Sequence, residues 1–179
     1  RTGYFIQKLV PHTCNESDQT YAWGGNFHSY LPYMPLADIY LMYAEACAVL
    51  GGASGKSSNF SKTAEEAINT IRDRVGAGHV AASYVADPKK FMDEIRRERA
   101  VELCFEGFRF SDLQRWLLLT EAPYTTKTSQ EFDRVENDDF FKTNDPRDAR
   151  VANFREEVIL TRVLGLKHYW FPLPDDDVY

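Results

Sequence analysis

A chain of 179 residues, 44% hydrophobic and 27% charged, is long enough to bury a sizeable core as one domain. Its net charge of −6, with no Lys/Arg run free of acidic neighbours, lacks the electrostatic footprint of a nucleic-acid binder. No apolar run is expected to reach the roughly 18 residues of a membrane span. Cys14, Cys47 and Cys104 are too widely spaced to frame a metal site, and His12, His28, His79 and His168 are scattered without metal or triad spacing.

Residues 3–10 (GYFIQKLV) are aromatic, aliphatic or β-branched in the main and predict a strand. Residues 11–33 are polar and turn-rich, yet carry Tyr21, Trp23, Phe27, Tyr30 and Tyr33 around Gly24-Gly25-Asn26. That is a loop with more aromatics than solvation requires. Cys14 within it reads as a plain loop cysteine, because Pro11-His12-Thr13 and no apolar leader precede it. The chain starts at Arg1 and stops after a proline-rich turn, so it is expected to be a mature product or part of something longer.

Residues 36–50 predict a helix whose buried face is Leu36, Ile39, Tyr40, Tyr43, Cys47 and Leu50, at steps of three and four. Gly51-Gly52 should stop it, and residues 54–59 form a connector. Ser61 is the expected N-cap of a helix over 63–75, with Ala64, Ala67, Ile68, Ile71 and Val75 inward and Gly76 at its end. Asp87-Pro88 marks another start, an acceptor side chain followed by proline in the first turn. That helix should run past Phe91, Ile95 and Leu103 to about Glu106, with Gly107 as a break and a further helix over 108–119 carrying a buried Trp116. Cys47 and Cys104 read as small buried hydrophobes.

Residues 120–154 predict a polar surface excursion with a short helix near 147–154. Residues 157–162 and 167–171 predict a hairpin about Gly165, with Trp170 in the core. The expected fold is therefore mainly α, a single domain of stacked, tetratricopeptide-like helical hairpins with a few short strands.

Within this plan, residues 97–116 interleave charged and apolar side chains across a glycine instead of separating them onto opposite helix faces. The segment RRERAVELCFEGFRFSDLQRW (96–116) resembles the signature of SusD/RagB-family nutrient-binding lipoproteins. The match falls on Glu98, Arg99, Glu102, Leu103, Phe105, Glu106, Gly107, Arg109, Asp112, Leu113, Arg115 and Trp116. YLMYAEA (40–46), HYWFPLP (168–174) and TGYFIQKLV (2–10) resemble further family segments in the same order. The resemblance implies the C-terminal portion of a longer protein, lipid-anchored upstream on the outer face of a Gram-negative outer membrane. Such a protein captures an oligosaccharide, or in some members a peptide, and hands it to a TonB-dependent SusC-like transporter. It implies no enzymatic activity and no cofactor.

The residues themselves bear on that implication. Glu98, Glu102 and Glu106 stand at i,i+4 steps on one helix face. Carboxylates so placed project in parallel, whereas a glycosidase pair approaches a sugar from opposite sides. Arg99, Arg109 and Arg115 fit better as their structural partners, with Asp112, Gly107 and Trp116 in the same junction. For ligand contact the candidates are Tyr21, Trp23, Asn26, Phe27 and His28: an indole for stacking, with amide and imidazole for hydroxyls. The alternative for these aromatics is that they tuck the loop onto the helices. For the chain as a whole, the alternative is a helical-repeat scaffold that binds protein.

Overall fold

The computed structural model describes residues 8–9, 32–145 and 148–171, and the segment 3–10, apart from a turn at Lys8 and Leu9, lies outside that range. The chain divides into two compact units, a helical one spanning Leu9–Arg109 and a second made of Arg1–Lys8 with Phe110–Tyr179. The fold is mainly α, with helical hairpins and, among the described residues, one small antiparallel sheet.

In the helical unit, α1 (Leu36–Gly51) ends where Gly52 turns left-handed at φ 63°, and a 3-10 turn, Gly52–Ser54, follows. Gly55 then passes so close to the helix that a Cβ there would lie 2.1 Å from the Cys47 carbonyl oxygen. Only a residue without a side chain fits this crossing. The second helix, α2 (Ala64–Val75), is capped by Thr63, not Ser61. The Thr63 hydroxyl accepts from Glu66 N–H (3.2 Å), and the Glu66 carboxylate accepts from Thr63 N–H (2.7 Å). This capping box satisfies two amide donors that the helix itself leaves unpaired. A single turn of helix, α3 (Ala82–Val85), precedes α4 (Pro88–Glu102), whose cap is the expected Asp87, accepting from the N–H groups of Lys89 and Lys90. The helix stops at Glu102, short of Glu106, and Phe105 (φ 65°) and Gly107 (φ 85°) carry the chain through a left-handed turn.

α1 packs against both α2 and α4. Leu41, Ala44, Cys47 and Ala48 meet Ala64, Ala67, Ile68, Ile71, Phe91 and Ile95 in one core. This corrects the expected inward face of α1. Leu36 and Leu50 are exposed, Ile39 is at the surface, and Tyr40 and Tyr43 only flank the core. The alanines win because interaxial distance follows side-chain size, and one helix contacting two neighbours needs close approach. Val75 is likewise exposed, and so is Cys104.

Leu36–Ser54, 19 residues, is long and apolar enough to cross a membrane by length and composition, contrary to expectation. Its Asp38 is nevertheless buried in an ion pair, and its alanine face is packed, as befits the central helix of the unit.

The next helix, α5 (Phe108–Arg115), starts in the last two residues of the helical unit and is shorter than the expected 108–119, because Leu117 takes a left-handed φ of 57° and is exposed. Residues 120–154 are not the irregular excursion expected. They contain β1 (Thr126–Arg134), which pairs antiparallel with β2 (Val151–Thr161), and one turn of helix, α6 (Phe140–Thr143). The register sets Thr126 opposite Thr161, Ser129 opposite Glu157 and Arg134 opposite Val151, with irregularities at Lys127/Thr128 and Glu131/Asp133. Asn153, left-handed at φ 52°, sits near the second irregularity and donates its amide to Asp133. The short helix expected near 147–154 is therefore strand at its C-terminal end. The strand expected over 167–171 is a 3-10 turn, Leu166–Tyr169, in which Gly165 N–H donates to His168 Nδ1 (2.9 Å).

Candidate functional site

Among the residues of the charged segment, those on α4 point into a seam with α2 and α1. The Arg72 guanidinium donates to Glu94 (2.9 Å) and Glu98 (2.8 Å), and its Nε donates to the Gly78 carbonyl (2.7 Å). Arg74 donates to both oxygens of Glu102, at 2.6 and 2.7 Å. Arg99 reaches Asp38 on α1 at 2.5 Å, with both side chains 5% exposed, and its guanidinium lies 5.4 Å over the Phe108 ring. Beyond the break at Gly107, Arg115 donates to Asp112 (2.9 Å) and stacks 4.6 Å from the Trp116 ring, which is only half-buried. Glu106 is half-buried and Arg109 exposed.

This arrangement joins helices. Glu98 and Glu102 direct their oxygens at arginines of a neighbouring helix, and neither lines any hollow described below. Paired, hydrogen-bonded charges are the form in which a packed interior tolerates ions.

Three open hollows stand out among the described residues. On the helical unit, one of about 340 Å³ is lined by Leu36, Ile39, Tyr40, Tyr43 and Phe60. Phe60 meets Tyr43 edge-on at 5.1 Å and Tyr40 obliquely at 6.3 Å. The Tyr43 hydroxyl donates to the Lys62 carbonyl (2.6 Å) and accepts from Ser57 N–H (2.9 Å), which anchors the connector over the helix. Desolvation raises its pKa above the usual phenol value, partly opposed by the Ser57 amide. A second hollow, about 360 Å³, is polar and runs along α2 past Glu66, Asn69, Asp73 and His79. The Thr63 backbone amide holds the Glu66 carboxyl below its usual range, and His79 bonds Asp73 at 2.8 Å.

The third hollow belongs to the other unit, holds about 470 Å³, and is lined by Phe110, Leu164, Trp170 and Phe171 with Lys167 and His168. Trp170 is 80% exposed, which corrects its expected place in the core. Once residues 166–169 form a 3-10 turn, the alternation that would bury it is lost. A histidine three residues after Gly165 is the local signal that marks this turn, and Phe60, flanked by polar residues, carries none. The ligand contacts expected from the loop, Tyr21, Trp23, Asn26, Phe27 and His28, lie outside the described residues.

The described residues thus present helical hairpins locked by interhelical ion pairs, with aromatic surfaces left open. The chain belongs to the SusD family, whose family model matches residues 1–179. Members of that family are non-catalytic binding proteins. Among solved structures, a SusD-like protein from Bacteroides fragilis is similar, at 28% identity and a TM-score of 0.56. The match covers 86% of this chain but only 27% of that one. No curated protein matches the chain.

Proposed function

We propose that these residues form the C-terminal domain of a longer SusD-like protein that binds an oligosaccharide and passes it to a TonB-dependent SusC-like transporter. The whole protein is then a lipoprotein on the outer face of the outer membrane, anchored upstream of Arg1. The observation that carries this reading is the family match along the full 179 residues. The charged segment supports it too: its Glu98 and Glu102 carboxylates and its Arg99 are engaged between helices, which favours recognition by other surfaces. Ligand contact is assigned to Tyr21, Trp23, Asn26, Phe27 and His28, an aromatic-rich stretch in which an indole stacks on a sugar face and polar groups bond its hydroxyls.

Calorimetric titration of the natural full-length protein with a panel of oligosaccharides tests the proposal. Saturable binding by at least one glycan, with no change in glycan chain length after incubation, is the expected result. Binding of peptides but no glycan would replace the ligand class. A second reading, a scaffold that binds protein through its helices, is favoured by one observation, the outward apolar residues Leu36, Ile39, Met42 and Leu50 of α1. Co-purification with a barrel partner, without retention of any glycan, would support that reading instead.

A further inference from the structure

The three hollows differ in the charge they present. The one against α1 has no charged residue in its lining, and the one along α2 sets Lys62 and His79 among Glu65, Glu66 and Asp73. The hollow of about 470 Å³ holds Lys167 and His168 among apolar and aromatic residues, with no Asp or Glu in its lining. In a chain of net charge −6, that is a local reversal of sign.

The hydrogen bonds around this hollow decide which polar atoms remain for a ligand. Gly165 N–H donates to His168 Nδ1 (2.9 Å), so the ring hydrogen of the imidazole sits on Nε2. The Gly165 carbonyl, 3.1 Å from the same nitrogen, already accepts from the His168 backbone amide (2.9 Å). The Gln114 side chain donates to the carbonyls of His168 and Tyr169, at 3.4 and 3.3 Å, and ties the turn to α5. The Lys167 ammonium, the His168 Nε2–H and the Trp170 indole N–H have no partner among the described residues. Three donors thus stand beside the exposed rings of Trp170 and Phe171. That set complements a ring with an apolar face and an anionic acceptor group. A hexuronic acid has both, the C–H bonds of its ring face and a carboxylate, whereas a neutral hexose lacks the charge.

We propose that the Trp170 hollow is a subsite for an acidic sugar residue, a uronic acid within a glycan. The pyranose ring stacks on the indole, and Lys167 with His168 Nε2–H binds the carboxylate. The inference narrows the ligand class of the proposed function and rests on that reading. It is additional to the contacts assigned to residues 21–28.

Calorimetric titration of the natural full-length protein with trigalacturonic acid, and with galactotriose of the same linkage, tests this. Trigalacturonic acid should bind several-fold more tightly. Lys167→Gln, at an exposed position without a partner, should remove that difference and leave galactotriose unchanged. Raising the salt concentration should act in the same direction. Trp170→Ala, with its fold checked by circular dichroism, should weaken the binding of trigalacturonic acid further. Equal affinity for the two sugars would overturn the proposal. So would trigalacturonic acid binding that Lys167→Gln leaves intact, the result expected if further polypeptide fills the hollow. Capture of a triglutamate peptide as tightly as trigalacturonic acid would also overturn it, since the hollow would then read charge without the sugar ring. A full-length protein that binds neutral glycans but not trigalacturonic acid loses this subsite alone, whereas one that binds no glycan loses the glycan reading and the subsite together.

Discussion

The two units solve the same problem, placing charge beside apolar surface, in opposite ways. In the helical unit, Asp38 and Arg99 are 61 residues apart in sequence and meet inside the core, each side chain 5% exposed. In the other unit, Arg150 and Glu136 bond at 2.7 Å with the arginine 74% exposed, while aliphatic residues of β2 stand in solvent beside charged ones. An ion pair of equally good geometry is thus part of the packing in one unit and ornament on the surface of the other. The contrast places the packed charge of the described residues in the seam among α1, α2 and α4.

The sharpest way to break that contrast is to remove one half of the buried pair. Arg99→Ala leaves the Asp38 carboxylate buried without its guanidinium and is expected to cost about 3–5 kcal/mol, read from urea denaturation of the full-length protein. Replacing both together, Asp38→Leu with Arg99→Met, should cost less, because the Asp38 carboxylate is then not stranded. Equal losses would mean that the pair does not sit in the core.

Gly55→Ala probes the crossing of the connector over α1. With the Cys47 carbonyl 2.1 Å from the new methyl, backbone must shift, and about 1–3 kcal/mol of stability should be lost in the same assay.

Next in size is the cap of α2. Thr63→Ala removes one half of the capping box and should cost about 1 kcal/mol. Its partner adds a pH dependence. The folded pKa of Glu66 lies below its unfolded value, so its contribution is fully present above the unfolded value and is lost as pH falls through the folded one. Glu66→Gln should flatten that acid limb of the stability profile, and an unchanged slope would show that the carboxylate does not serve the cap.

The smallest effect is expected at the exposed pair. Arg150 holds the Glu136 carboxyl below its usual range by a hydrogen bond, yet the arginine is 74% exposed, although Glu136 is only 15% exposed. Thermal melts of Arg150→Ala and the parent should superimpose at high salt, where surface charge is screened.

Much of the helical unit was legible in the sequence, because its signals are local. Asp87-Pro88 fixes the start of α4 through a side-chain acceptor and a proline that needs no donor. The capping box is also a local signal, since Glu66 follows Thr63 by three, but the expected cap fell on Ser61, which is followed by Ala64 and does not cap the helix. The inward face of α1 was not. That helix is apolar on several sides, so periodicity alone does not choose between its tyrosines and its alanines, and the neighbouring helices make the choice. Asp38 reads locally as a first-turn acid favoured by the helix dipole, and only the tertiary fold reveals Arg99.

The expected strand over 157–162 is the second half of β2, Arg162 apart, whereas β1 and the start of β2 were obscured for a different reason. β1 has polar residues on both faces and β2 exposes both of its own, so the alternation that betrays a half-buried strand is absent. Trp170 was misplaced by the same logic, since a strand would have buried it and a 3-10 turn does not. For the candidate site, the charged segment carries the family in its order of residues. Its Glu98 and Glu102 are engaged by arginines of a neighbouring helix, which is why ligand contact is proposed elsewhere.

The most direct test of that division is a paired titration of the full-length protein with whichever oligosaccharide it binds, using Glu102→Gln and Trp23→Ala. Unchanged affinity for Glu102→Gln and abolished binding for Trp23→Ala is the predicted result. Loss of binding in Glu102→Gln with retention in Trp23→Ala would contradict the account, placing recognition in the charged seam.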